Sequence, residues 1–147
     1  MTAEFFIDTN VLIYAGSNAA DDRPKRDLAR AVLSRPGIAF SAQVFQEFYS
    51  VAVGKQRLLM SHEDAVAVLN ALAAFPVLPI SRELVLTAVE LKTKFGISYW
   101  DAAIVAAAQS LGCRTILSED LNDGQDYGGV RVSNPFASLT ASSAIPL

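Results

Sequence analysis

The clearest indication of the fold is the segment Phe5-Phe6-Ile7-Asp8-Thr9-Asn10-Val11-Leu12-Ile13-Tyr14. A short apolar run ends in Asp8, and an apolar pattern with helical spacing resumes immediately afterwards. Asp and Asn favour helix caps and turns over strand interiors, so we expect a strand to end here and a helix to begin. Asp8 would then lie at the carboxyl end of a strand, where open α/β sheets bind their ligands. The alternative is that Asp8 or Thr9 only caps the following helix.

Two further helices are predicted to carry an acid near their first turns. Glu47 follows a predicted strand over residues 38–41 and borders the apolar stripe of its helix, although an exposed helical glutamate is the ordinary alternative. Asp101 lies three residues after Ser98, which matches a variant of the capping box. The helix that follows is apolar nearly all round and is therefore expected to be buried. An acid at this position can act both as a helix cap and as a ligand.

A third junction, Thr115-Ile116-Leu117-Ser118-Glu119-Asp120, ends a predicted strand in acidic residues. Asp120 lies just past the strand end and is the preferred candidate, with Asp123 as an auxiliary and Glu119 as the least favoured. The alternative is an acidic loop that is merely solvated. The identity of the fourth ligand, Asp120 or Asp123, stays open at this point.

These acids would gather at one edge of a parallel sheet. Their like charges would repel and raise one another's pKa unless a cation neutralises them. Carboxylate and water oxygens suit Mg²⁺ or Mn²⁺ rather than zinc. One histidine and one cysteine are too few for a soft-ligand site. We therefore expect Mg²⁺ or Mn²⁺ to be bound by four acids: Asp8, Glu47, Asp101 and Asp120.

Strand and helix patterns alternate along the chain, which favours an α/β fold with a doubly wound, mainly parallel sheet flanked by helices. Five strands are predicted, over residues 4–7, 38–40, 77–80, 115–117 and 130–132. We expect a single domain over residues 1–147, with a core over 1–136 and a C-terminal tail over 137–147 that frays.

Composition narrows the class of protein. At 147 residues and 52% hydrophobic content, the chain can bury a sizeable core and has apolar surface to spare for self-association or a partner. No apolar run reaches membrane-spanning length. The lone Cys113 is expected to be a small buried residue in a reducing compartment, so we expect a cytoplasmic protein that does not bind membranes.

The net charge of −3 is only weak evidence against an RNA substrate, because several acids would be concentrated at the metal site. Basic residues cluster at Arg23-Pro24-Lys25-Arg26 and at Lys55 with Arg57. They are candidates for holding a phosphate backbone, and ordinary solvated helix faces are the alternative.

Several motifs resemble those of one known family. Residues 6–14 resemble the opening motif of PIN-domain nucleases, and Ser98-Tyr99-Trp100-Asp101-Ala102 with Ile116-Leu117-Ser118-Glu119-Asp120-Leu121 resembles the closing half. Tyr127-Gly128-Gly129-Val130 and Asn134-Pro135-Phe136 are similar to the endings of VapC-type toxins of bacterial toxin–antitoxin pairs. The resemblance spans Phe5 to Phe136, and the four acids in this order and spacing form its strongest joint signal.

The resemblance implies a PIN-like fold and a metal-dependent endoribonuclease that leaves a 5′-phosphate and a 3′-hydroxyl, with a cognate antitoxin as partner. The four acids match the acidic positions of the family, and Thr9, Asn10 and Ser118 match small polar residues near them. Glu119 departs from the pattern, because many relatives have a basic or neutral residue there. Resemblance and composition together predict a homodimer built partly on Phe45, Phe48, Tyr49 and Leu58-Leu59-Met60, although the three aromatic residues are candidates for the core as well.

Two other functions remain open. A metal-dependent phosphatase or DNA nuclease could share the acidic site, although Asn10 stands where a phosphoaspartate enzyme would need a second Asp. A catalytically silent PIN-like module that only binds RNA or protein is the other alternative, and the presence of all four acids argues against it. Trp100 and Tyr99 are expected to pack against the core or its rim rather than to stack on bases.

Overall fold

The computed structural model describes residues 3–139, which form a six-stranded sheet flanked by helices. The strands are β1 (Phe5–Ile7), β2 (Ile38–Ser41), β3 (Val77–Leu78), β4 (Thr115–Leu117), β5 (Asp126–Tyr127) and β6 (Val130–Ser133). The helices are α1 (Thr9–Ala15), α2 (Arg23–Leu33), α3 (Ala42–Ala52), α4 (His62–Leu72), α5 (Arg82–Phe95) and α6 (Tyr99–Ser110), with a short 3₁₀ helix at Ala20–Asp22. Residues 140–147 of the predicted tail lie outside the described residues.

The sheet confirms the predicted α/β class. Its strand order is β3-β2-β1-β4-β6-β5, and every neighbouring pair is parallel except the last. The parallel register pairs Ile7 with Leu117, so the residues that follow β1 and β4 emerge side by side. This register is what brings the ends of two distant sequence segments to the same edge of the sheet.

The sheet has six strands, one more than predicted. Asp126–Tyr127 forms β5, which pairs antiparallel with β6 in a hairpin. Gly128 and Gly129 join the two strands with φ angles of 64° and 98°. Glycine adopts these positive φ values without steric cost, which is why a two-residue hairpin turn forms here. A two-residue strand is too short to show the alternation on which a strand prediction depends.

Helix α6 is buried as its sequence predicted. Seven consecutive residues, 102–108, are inaccessible or nearly so, because the helix packs against α5 on one side and the sheet on the other. It ends as predicted at Gly112, whose φ of 74° lets the Cys113 amide donate back to the Ala108 carbonyl. The small alanine side chains allow this close approach of helix and sheet.

The structure also bears on what the sequence predicted for Cys113 and Phe48. Cys113 is free and buried, and burial raises the pKa of its thiol to about 11, so it is a poor nucleophile. Phe48 is buried in the core at 1% exposure, so its predicted place in a dimer interface is wrong. Within residues 3–139, no helix is long and apolar enough to cross a membrane.

Candidate active site

Asp8 lies at the carboxyl end of β1 and is also the N-cap of α1. The backbone amide of Thr9 donates to Asp8 Oδ1 at 2.7 Å, and the Ser118 hydroxyl donates to Asp8 Oδ2 at 2.7 Å. The residue is only 6% exposed. The capping role and the strand-end position that the sequence left as alternatives are therefore both present in the same side chain.

Asn10 and Ser118 connect Asp8 to the loop after β4. The Asn10 side-chain amide donates to Asp120 Oδ2 at 3.2 Å and to Asp8 Oδ2 at 3.4 Å, and its oxygen accepts from the Glu119 amide at 3.2 Å. Ser118 Oγ accepts from the Asp120 amide at 3.1 Å. Two short polar side chains thus fix the distance and orientation between the first and fourth predicted acids.

Glu47 projects from the second turn of α3 toward the same edge. Its Oε1 accepts from the Thr9 hydroxyl at 3.3 Å and from the Gln43 side-chain amide at 3.2 Å. Gln43 also donates to the backbone carbonyl of Trp100 at 3.3 Å. This second bond ties α3 to the start of α6, where Asp101 lies. Gln43 is polar but buried, and its two hydrogen bonds to protein groups offset the cost of that burial.

Asp101 lies in the first turn of α6. Its backbone amide donates to Ser98 Oγ at 3.1 Å, so Ser98 is the N-cap that the sequence predicted. A carboxylate in this position also interacts favourably with the positive end of the helix dipole. The side chain is partly exposed, in contrast to that of Asp8.

The electrostatics show that the four acids share one neighbourhood. Burial raises the pKa of Asp8 from 3.8 to about 6; hydrogen bonds from Ser118 and Thr9 oppose this, and the charges of Asp120 and Glu47 add to it. Partial burial also raises the pKa of Glu47 and of Asp101. Asp101 and Asp120 add to the rise at Glu47, and Asp120 adds to it at Asp101. Unneutralised carboxylates in a shared site behave in this way.

No Lys or Arg within residues 3–139 forms an ion pair with any of these four acids. Lys25 pairs instead with Glu119, and Arg57 pairs with Asp22. The cluster therefore carries its negative charge without a protein counter-ion in the described part of the chain.

The donor set has the chemistry that a hard divalent cation requires, because all of its ligand atoms are carboxylate oxygens. As the side chains stand, however, no three Asp, Glu, His or Cys residues among residues 3–139 are close enough to hold one metal ion together. The pKa values of Asp8, Glu47 and Asp101 are raised mainly by burial and to a smaller extent by the neighbouring acids, and a cation would stabilise the charged form of each carboxylate. The chemistry thus fits Mg²⁺ or Mn²⁺, and the side chains would have to draw closer to bind it.

Asp123 lies apart from the cluster. Its Oδ1 accepts from the Asn134 backbone amide at 2.9 Å, and among residues 3–139 no hydrogen bond links it to the four acids. Glu119 is turned toward Lys25. Of the acids in the loop after β4, the structure places only Asp120 beside Asp8.

Sequence reasoning missed Gln43. The signal for Gln43 was available, since it lies one turn before Glu47 on the same helix face. Trp100 is 66% exposed and packs edge to face against Tyr99 at 5.0 Å, so of the two predicted places it lies at the rim and not in the core. It borders a groove of about 440 Å³ beside the acids, lined by Gln43, Gln46, Glu47, Ser50, Val51 and Trp100.

The family model described as the PIN domain matches residues 5–122 of this chain. A comparison with curated proteins finds no significant match. The matched range contains all four acids of the candidate site and the elements that carry them.

Solved structures of similar fold include toxins and toxin–antitoxin complexes. VapC20 of Mycobacterium tuberculosis, a sarcin-ricin loop cleaving toxin, has a TM-score of 0.62 and 20% identity, covering 80% of this chain and 92% of its own. A toxin–antitoxin complex from Klebsiella pneumoniae has a TM-score of 0.65 and 24% identity, covering 90% and 98%. DNA-bound VapBC from Salmonella typhimurium has a TM-score of 0.65 and 17% identity, covering 91% and 99%. At these identities the likeness shows a shared fold.

Proposed function

This chain belongs to the PIN-domain family, whose members are typically nucleases, and on that premise we propose that it is a metal-dependent endoribonuclease. The reaction is hydrolysis of RNA phosphodiester bonds, and the biological role is that of the toxin in a type II toxin–antitoxin pair. The observation that carries the proposal is the convergence of four acids, which come from four separate elements and have no basic partner within residues 3–139.

The four acids would hold one or two Mg²⁺ or Mn²⁺ ions. When bound, such a cation supplies a water of lowered pKa and stabilises charge on the leaving oxygen. Asp8 is the fixed member of the set, because two hydrogen bonds hold its carboxylate in a buried position. Glu47, Asp101 and Asp120 are more exposed than Asp8, so their carboxylates can shift toward an ion at a smaller cost than the buried Asp8 carboxylate. We take Asp120 rather than Asp123 as the fourth acid.

Three polar side chains orient the acids. Thr9 donates to Glu47, Asn10 bridges Asp8 and Asp120, and Ser118 donates to Asp8. Asn10 is only partly buried, so its side-chain amide is the one of the three that could also contact the scissile phosphate. The products expected for this family are a 5′-phosphate and a 3′-hydroxyl.

The groove lined by Glu47 and Trp100 opens beside one of the four acids. Lys55 and Arg57 line an adjoining hollow together with Val51, which also borders the groove. Lys55 and Arg57 are therefore suited to contact the RNA backbone despite the net negative charge of the chain.

Two protein partners form part of the proposal. Solved structures of similar fold include toxin–antitoxin complexes, which supports a cognate antitoxin that covers the acids. A homodimer is supported by an apolar face on and around α5, which we call the α5 face: Ile80, Val85, Leu86, Val89 and Trp100 are all exposed. The lone buried Cys113 is consistent with a reducing cytoplasm. We treat residues 1–147 as one domain, with 1–136 as its core.

The proposal is tested by cleavage of RNA with purified protein and Mg²⁺ or Mn²⁺. Asp8→Ala and Asp101→Ala should each reduce the cleavage rate by about 100-fold or more, since each removes a ligand of the proposed cation. Asp123→Asn is the matched control, because it keeps the oxygen that accepts from Asn134 and removes only the charge. Its activity should stay close to that of the wild type. Circular dichroism checks that each variant is folded.

The same assay separates the alternatives. Full activity in Asp8→Ala would refute the assignment of Asp8 as a ligand of the catalytic cation. Cleavage of DNA but not RNA would favour the DNA nuclease, and tight RNA binding without cleavage at any metal concentration would favour the silent module. Loss of activity in Asp123→Asn equal to that in Asp101→Ala would assign Asp123 to the cluster.

A further inference from the structure

An ion pair outside the four acids joins α2 to the loop that carries Asp120. Lys25 Nζ lies 2.8 Å from Glu119 Oε1 and 3.2 Å from the Tyr14 hydroxyl oxygen. Each of the two paired side chains is only 29% exposed. Because Glu119 immediately precedes Asp120, the pair holds the backbone from which the fourth acid projects.

Aromatic rings hold Lys25 at this position. Its Nζ lies 4.6 Å from the centroid of the Tyr14 ring and 5.6 Å from that of Phe136. The two rings pack edge to face at 5.1 Å. A cation over aromatic faces is stabilised by the ring quadrupole. Phe136 follows β6, on a part of the chain that carries none of the four acids. Through its contact with Lys25 it helps to position the loop that carries Asp120.

Lys25 is the contact that holds the Glu119 side chain in place. Glu119 Oε2 is buried and has no hydrogen-bond partner among residues 3–139, so the pair at Oε1 is the compensation that the described structure gives this carboxylate. Removing one partner of a partly buried pair leaves an uncompensated charge, which is more destabilising than removing both. Without Lys25, the Glu119 carboxylate would have to move toward water.

Such a movement would reach the acids through Asn10. The Glu119 amide donates to Asn10 Oδ1, and the Asn10 side-chain amide donates in turn to Asp120. Displacement of the Glu119 backbone therefore breaks one side of the bridge that orients Asp120.

We propose that Lys25 is a positioning residue of the acidic site. By pairing with Glu119 it holds the loop after β4 in the position that directs Asp120 toward Asp8. Its effect on the loop follows from the contacts alone, and its effect on cleavage rests on the proposed function.

The test is a double-variant cycle read out by amide hydrogen exchange in metal-free protein. Lys25→Met should speed exchange at Glu119, Asp120 and Leu121 by about 10-fold or more, because local opening becomes easier. Glu119→Gln should stay within about 3-fold of the wild type, because Lys25 keeps its contacts with Tyr14 and Phe136. Lys25→Met/Glu119→Gln should return to within about 3-fold of Glu119→Gln, since no unpaired charge remains. Lys25→Arg keeps the charge and should resemble the wild type.

The exposed pair of Arg82 with Glu83, at 83% and 71% exposure, supplies the matched control. Arg82→Met, with or without Glu83→Gln, should leave exchange in the loop unchanged. If Lys25→Met does not fold, the proposal still predicts that Lys25→Met/Glu119→Gln folds, because the double variant leaves no unpaired charge. Unchanged exchange in Lys25→Met, or a double variant as defective as Lys25→Met, would overturn the proposal.

RNA cleavage by the same variants provides the second readout. Lys25→Met should lower kcat by about 10-fold with KM within about 3-fold of the wild type, and Glu119→Gln in the same chain should restore kcat. A rise in KM alone, without rescue, would make Lys25 an RNA contact and overturn the positioning role. A wild type that does not cleave RNA would refute the proposed function, while the exchange cycle would still decide the role of Lys25.

Discussion

Asp8 is the residue at which stability and the proposed chemistry conflict most directly. Both of its oxygens accept hydrogen bonds, which favour the charged form, yet burial outweighs them and raises its pKa to about 6. At neutral pH the metal-free protein therefore holds a buried negative charge at an energetic cost. A site that binds a divalent cation benefits from this arrangement, because the cation removes the cost on binding.

This conflict predicts a pH dependence of stability. Since the folded pKa of about 6 lies above the ordinary 3.8, the folded state binds the proton more tightly, and Asp8 contributes most stability below pH 4. That contribution is lost as the pH rises through 6. Between pH 4 and pH 7, the wild type should lose on the order of 2 kcal/mol more unfolding free energy than Asp8→Asn. Urea unfolding in the presence of a chelator measures the difference.

A control and a metal arm make this measurement specific. Asp21→Asn, at an exposed position in the 3₁₀ helix, should keep the pH slope of the wild type. Addition of Mg²⁺ or Mn²⁺ at pH 7 should raise the melting temperature of the wild type and have little effect on Asp8→Asn. Identical pH slopes in the wild type and Asp8→Asn would show that the carboxyl group does not titrate near pH 6.

At the scale of elements, the sequence was informative where a side chain's role is local. The positions of Asp8, Asp101 and Asp120 at a strand end or a helix start could be predicted from the local pattern, and the capping role of Ser98 could be predicted because capping is a short-range pattern. The PIN-like resemblance and the α/β class are confirmed.

Features that depend on contacts between distant segments could not be found in this way. Lys25 and Glu119 are 94 positions apart in sequence, and nothing in the local pattern of either residue indicates the pair. Strand β5 was missed because two residues show no periodicity, although the Gly128-Gly129 pair is a recognised hairpin signal. The arrangement of the acids around a metal ion could not be predicted either, because it depends on side-chain rotations that neither composition nor spacing determines.

The buried alanines of α6 lead to a prediction about packing. Ala108 is fully buried, so Ala108→Leu should force its neighbours apart and lower the free energy of unfolding by about 1–3 kcal/mol. Ala71→Leu on the exposed side of α4 is the matched control and should change stability by less than about 0.5 kcal/mol. Thermal or urea unfolding distinguishes the two. Equal stability of both variants would mean that α6 packs more loosely than its burial indicates.

For the protein as a whole, the exposed apolar side chains of the α5 face indicate a surface that a partner would cover. Leu86 and Val89 are 56% and 49% exposed, and Trp100 at 66% extends the face to the residue before Asp101. Soluble monomers seldom leave apolar side chains grouped in this way without a partner. A second copy packed on this face would place its own acids near those of the first, which gives a longer surface for a folded RNA.

This surface allows a direct test of the predicted homodimer. Leu86→Lys/Val89→Lys places two charges at exposed positions of α5, so the monomer should remain folded while the dimer dissociates, since desolvating unpaired charges in an apolar interface is costly. Light scattering at micromolar concentration measures the change in mass. Leu59→Lys is the matched control: Leu59 is 70% exposed but lies between α3 and α4, and this variant should stay dimeric. Dissociation by Leu59→Lys alone would instead place the interface on the segment Leu58-Leu59-Met60, and a monomeric wild type would exclude the homodimer under these conditions.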